Sequence, residues 1–197
     1  MRYIGVFVVI AVLAYAFLGD SGSSAKPDLR EALKRAEAAL VKFDKYLKEN
    51  SIEKAEEKHM TQLASDMQTE MNKDPRFYKE SLIAMKLLKD AKFEGFKDDN
   101  KNGVADSGEK KLFSIEVDAG NKRLIGTGPS GSSYGHGLSG LATGFLAGAL
   151  ISNLMGRQSS AGITQNSFNQ RRVAPASSFR QSSPRARSSS GSRFGGK

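Results

Sequence analysis

Residues 3–18 are sixteen uncharged, mostly apolar side chains in an unbroken run, preceded by Arg2 and closed by Asp20. Nothing polar interrupts the run to give it a solvent face, so a buried core helix fits it poorly and a secretory signal or membrane anchor fits it well. Ser23 and Ala25 offer the small residues of a cleavage site, with a mature start at Lys26. The run is only slightly short of a spanning helix, so retention as an anchor stands beside cleavage. Residues 1–25 are therefore read as a signal peptide or membrane anchor.

The remainder of the chain has room for one modest folded domain, because the whole has 197 residues of which 39% are hydrophobic. Cysteine is absent, which excludes disulfide scaffolds, thiolate zinc sites and cysteine nucleophiles together. The net charge of +9 suggests nucleic acid until it is located along the chain. Between residues 3 and 156, 21 basic side chains balance 21 acidic ones, whereas residues 157–197 carry seven Arg, one Lys and no acid. The basic character belongs to a tail.

From Asp28 the apolar set Leu29, Leu33, Ala36, Leu40, Phe43 and Leu47 keeps alternating spacings of four and three, with Asp28 as the cap and Glu31 three residues on. Asn50 and Ser51 break this helix and begin a second, marked by Ile52, Ala55, His59, Leu63, Met67 and Met71, so a helical hairpin is expected. Asp74 and Pro75 are read as the start of a third helix, with Phe77, Tyr78, Leu82, Met85 and Leu88 along its apolar side. Past Asp90 the pattern becomes alternating. Phe93 and Phe96, then Phe113, Ile115 and Val117, suit strands, and residues 118–121 form a turn before a returning strand at Leu124 and Ile125. The fold class expected is α+β, a helical hairpin plus a third helix followed by a small antiparallel sheet, over residues 26–127.

Residues 128–137 are Gly/Ser-rich and read as a linker. Across residues 138–156, Gly140, Gly144, Gly148, Ser152 and Gly156 recur every four residues and form one narrow small-residue face on a helix. Such a face lets backbones approach closely, which implies self-association and favours a membrane helix, with a packed or interfacial helix as the alternative. Residues 157–197 hold eleven serines and few apolar groups, the composition of a disordered basic tail. That tail offers contact with anionic lipid, polymer or nucleic acid, since Phe168, Phe179 and Phe194 sit among arginines.

The strongest chemical pattern lies between the two Phe-bearing strands. Asp98, Asn100, Asn102, Asp106 and Glu109 occupy positions 1, 3, 5, 9 and 12 of a twelve-residue stretch with Gly103 at position 6. Calcium is a hard cation that takes six to eight oxygens, and this spacing lets a curled loop supply them, Val104 contributing its carbonyl. The loop resembles those of EF-hand proteins, although strands rather than helices flank it. It is similar also to the calcium loops of Sdr-type B repeats in bacterial surface proteins. The resemblance covers twelve residues and implies calcium at Asp98, Asn100, Asn102, Val104, Asp106 and Glu109. Two amides in the set imply weak affinity, suited to calcium-rich exterior space.

Two catalytic-looking matches fail on context. Gly126, Gly128 and Gly131 satisfy a dinucleotide pattern that opens no helix, and Ser133 with its flanking glycines and His136 imitates a nucleophile elbow without the strand and helix it needs. His59 falls beside an apolar stripe and is expected to be packed. No small-molecule substrate is indicated. The sequence thus implies a non-enzymatic bacterial envelope protein, a calcium-stabilised scaffold or adaptor at the inner membrane with its domain outside the cytoplasm. The alternative is a secreted or periplasmic binding module whose tail grips an anionic partner.

Overall fold

The computed structural model describes residues 26–138 and 148–179. The apolar run at residues 3–18, Gly140, Gly144 and residues 180–197 lie outside the described residues.

Helix α1, Leu29–Glu49, starts where expected. The Asp28 side chain accepts from the Arg30 N–H at 2.9 Å and so satisfies one of the free amides of the first turn. All six apolar positions of its stripe are buried, Leu33, Ala36, Leu40 and Leu47 completely. Helix α2, Glu57–Asn72, begins later than the Asn50–Ser51 break suggested. Its first turn is closed by His59, whose Nδ1 accepts from the Glu56 N–H at 2.9 Å, so this histidine is packed and engaged by its own helix.

Arg35 fastens the far end of α2 to α1. Its guanidinium donates to the carbonyls of Glu70, Met71, Lys73 and Pro75, which belong to the last turn of the helix and the loop beyond it. The same group lies 5.1 Å from the centre of the Phe77 ring.

The third helix does not form, and this corrects the sequence reading. Leu82–Leu87 is strand β1, and Phe77 and Tyr78 lie in the connection that precedes it. Ile83, Met85 and Leu87 alternate onto the core, a period of two that the helical reading of Leu82, Met85 and Leu88 overlooked. The outer edge of β1 is closed by two side chains of α2. Asn72 accepts from the Ile83 N–H and donates to its carbonyl, both at 2.8 Å, and Gln68 accepts from the Met85 N–H at 2.8 Å. These amides would otherwise be left as an open sheet edge.

Strands β2 (Phe93–Asp98), β3 (Lys111–Asp118) and β4 (Arg123–Thr127) succeed it as the alternating pattern indicated. A fifth strand, β5, Ser133–Gly137, occupies the stretch read as a linker. These five strands lie side by side in chain order and are all antiparallel. Gly95 in β2 is required by packing, since a Cβ there would lie 2.5 Å from the Phe113 ring. Phe113, Ile115 and Val117 of β3 meet the buried stripes of α1 and α2 in one continuous core.

The described part of the tail is also ordered against the domain. Helix α3 (Gly148–Ser160), helix α4 (Gln165–Asn169), strand β6 (Ala174–Pro175) and a 3-10 turn (Ala176–Ser178) replace the disorder expected from residue 157. Leu150 and Leu154 enter the main core, Asn153 donates to the Ala55 carbonyl at 2.8 Å, and Gln158 donates to the Val117 carbonyl at 2.9 Å. Gln165 reaches Asp118, Arg171 pairs with Glu116, and β6 runs parallel beside β5. Gly135 permits that approach, because a Cβ there would stand 3.0 Å from Val173. A composition too polar to fold alone is held here because Gln158, Gln165 and Arg171 find partners on a sheet already built. Among the described residues, no helix is long and apolar enough to cross a membrane.

Candidate metal loop

The end of β2 and its connection to β3 carry the six residues of the calcium pattern, and a Lys97 N–H to Lys110 carbonyl bond of 2.9 Å closes the neck of the loop. Asp98 is the last residue of β2 and is 1% exposed. Its Oδ1 accepts from the Asn102 N–H at 3.1 Å and its Oδ2 from the Gly103 N–H at 2.9 Å, which folds positions 5 and 6 back over position 1. Gly103 has φ +75°, a left-handed conformation that glycine adopts without strain.

The remaining side chains turn toward one another. Asp106 Oδ2 accepts from Asn100 Nδ2 at 2.8 Å and Asn102 Nδ2 at 2.7 Å, and these two bonds hold its carboxyl below the usual carboxylate range. Glu109 bridges the loop from its last position, Oε1 accepting from the Asp99 N–H at 3.1 Å and Oε2 from the Asp106 N–H at 3.0 Å. Val104 turns its side chain to solvent, 56% exposed, which leaves its carbonyl as the ligand it could offer. The structure thus gathers Asp98, Asn100, Asn102, Asp106 and Glu109 into one hydrogen-bonded ring.

This ring is satisfied by amides, and among the described residues no three His, Cys, Asp or Glu side chains stand as a ready metal cluster. A cation would have to take over carboxylate oxygens that now accept from N–H groups. The donor chemistry suits a hard cation, since every candidate is a carboxylate, an amide oxygen or a backbone carbonyl. Asn100 Oδ1 accepts from the Asn102 N–H at 3.1 Å and Asn102 Oδ1 from the Val104 N–H at 2.7 Å, so turning either amide to present oxygen toward Asp106 gives up one of these bonds. Asp99, at position 2, is held outside by an ion pair with Lys97 at 2.7 Å.

One residue that braces the loop escaped the sequence reading. Gln68 of α2 donates from Nε2 to the Gly103 carbonyl at 3.0 Å while its Oε1 accepts from the Met85 N–H. A single side chain therefore ties the loop's turn to the edge of the sheet. Nothing in the local pattern marks it, because its partners lie 35 and 17 residues away.

The other motifs separate. Ser133 and His136 lie on opposite faces of β5: the serine bonds Thr127 Oγ1 at 2.9 Å and the histidine pairs with Glu37 of α1 at 2.8 Å, so they form no nucleophile and base. Gly126, Gly128 and Gly131 belong to β4 and the hairpin turn after it, where the Gly131 N–H bonds the Gly128 carbonyl at 3.0 Å. Of the small-residue face, Gly148, Ser152 and Gly156 are exposed on α3, and a Cβ at either glycine meets nothing within 4 Å. No family model, no curated protein and no solved structure matches this chain.

Proposed function

We propose that this chain is a non-enzymatic envelope protein, held at the membrane by residues 3–18, whose α+β domain binds one calcium ion in the loop from Asp98 to Glu109. The observation that carries the reading is the convergence of Asp98, Asn100, Asn102, Asp106 and Glu109, each bearing a side-chain oxygen, around a left-handed Gly103. Calcium would stiffen the β2–β3 connection and, through Gln68, the seat of α2 on β1. Its work is that of a scaffold or adaptor. The small face of Gly148, Ser152 and Gly156, open on α3, supports self-association as the way such a scaffold assembles.

Calorimetric titration of calcium into the full chain in mild detergent tests the reading. A saturable heat at one ion per chain is expected, and the double variant Asp98→Ala/Glu109→Ala should lose it. Absence of any calcium heat in the unaltered chain would refute the metal loop. Recovery of the unaltered chain in the soluble fraction after cell disruption would refute the anchor and favour a released binding module.

A further inference from the structure

The end of the domain where the chain enters carries a pocket of about 460 Å³, lined by Lys26, Asp28, Glu31, Arg76, Phe77, Tyr78 and Lys79. Its two acids are already engaged. Asp28 pairs with Arg30 at 2.9 Å, and Glu31 with Arg35 at 3.1 Å. Arg76 and Lys79, by contrast, are exposed and have no ion pair among the described residues. Phe77 and the buried Tyr78 stand between them, so the rim presents cations beside aromatic surface. The pocket therefore favours an anion with an apolar neighbour.

Its position narrows the choice of anion. Seven residues separate Leu18, the last of the apolar run, from Lys26 on the pocket wall. A chain of that length spans at most about 24 Å. If residues 3–18 lie in a membrane, the pocket cannot move more than about three Debye lengths from its surface at physiological salt. A basic rim tethered that closely meets headgroup phosphate at high effective concentration.

We propose that this end of the domain docks on the membrane, with Arg76 and Lys79 on the headgroups of anionic phospholipid. The proposal rests on the reading of residues 3–18 as an anchor. It fixes the orientation of the domain, with α1 pointing its N-terminal end at the bilayer and Glu49 away from it. Each basic side chain near an anionic surface favours contact about fivefold, so two supply roughly a 25-fold preference for this face.

The chain has no cysteine, so single-cysteine labelling of the full protein is direct. A fluorophore at Asp74→Cys, exposed two residues before Arg76, reports on the pocket end. One at Lys45→Cys, whose side chain is 74% exposed, lies about 15 Å further along α1 than Arg35, which holds the carbonyls on either side of residue 74, and reports on the far end. The protein is placed in nanodiscs of phosphatidylglycerol with a headgroup-linked quencher, and in matched discs of phosphatidylcholine. Quenching at position 74 should exceed that at 45 at least about threefold in anionic discs, fall in zwitterionic discs, and be lost in Arg76→Glu/Lys79→Glu. Equal quenching at the two positions, or quenching at 74 unchanged by the charge reversal, overturns the docking alone. Loss of quenching with inorganic phosphate at fixed ionic strength assigns the pocket to a free anion and also overturns it. A chain that does not stay with the discs at all overturns the anchor reading and the docking with it.

Discussion

Replacing Arg35 by Ala removes a side chain that terminates α2 and, beside the Lys42–Glu70 ion pair, joins it to α1. Its side chain is 11% exposed, and it donates to four carbonyls as well as to Glu31. The Glu70 and Met71 carbonyls are part-buried, and each loses a charged donor at a cost of about 1 kcal/mol. The Lys73 and Pro75 carbonyls are exposed, so water replaces most of what they lose. Contact of the guanidinium with Phe77 and the packing of its stem add about 1 kcal/mol. The total is about 3 kcal/mol, which for a domain of this size lowers Tm by roughly 9 °C. Thermal unfolding of the full chain followed by circular dichroism measures it. Arg35→Lys should recover less than half, because an ammonium cannot reach all four acceptors. Arg30→Ala is the comparison, since Arg30 is exposed and bonds only Asp28; its Tm should stay within error of the parent. Equal shifts for the Arg30 and Arg35 variants would refute the reasoning.

Three further outcomes are expected from named contacts. Gln68→Ala frees the Gly103 carbonyl and the Met85 N–H together, so calcium affinity measured by titration should fall about tenfold while calcium binding persists. Burial would raise the Asp118 carboxyl, yet hydrogen bonds from Asn121, Gln165 and Arg123 hold it below its ordinary value of 3.8. A lowered folded value means stabilisation present above pH 3.8 and lost as pH falls through the folded value, so amide exchange in residues 165–175 should accelerate below pH 3.8, and Asp118→Asn should flatten that response. Gly148→Leu with Gly156→Leu fits the fold without a clash, and crosslinking in detergent should show fewer oligomers with an unchanged Tm.

The parts of the fold legible in the sequence are those with long, uninterrupted periodicity. The apolar positions of the stripe from Leu29 to Leu47, and Phe113, Ile115 and Val117 in β3, are all buried. The stretch from Phe77 to Leu88 was illegible because Leu82, Met85 and Leu88 suit a helix as well as Ile83, Met85 and Leu87 suit a strand. Tertiary contact decides it, through Asn72 and Gln68 at the strand edge. Ser133–Gly137 reads as linker because its glycines carry no pattern, although Gly135 is what lets residue 173 approach. The order of residues 157–179 was hidden for a different reason: its anchors, Gln158 on Val117 and Arg171 on Glu116, are polar and distant in sequence. At the loop, spacing marks the ring-forming residues, whereas only the fold brings Gln68 to Gly103.

Calcium held in the folded state by the loop from Asp98 to Glu109 would show in thermal unfolding of the full chain in 10 mM calcium and in chelator, with magnesium as a parallel arm. Extracellular loops bind calcium at about 0.1 to 1 mM, so a ligand at 10 mM stabilises the folded state by about 1.4 to 2.7 kcal/mol. The account predicts a rise in Tm of about 3 to 8 °C with calcium, little with magnesium, and none in Asp98→Ala/Glu109→Ala. Superimposable curves in calcium and chelator, or an equal rise in the double variant, would contradict it.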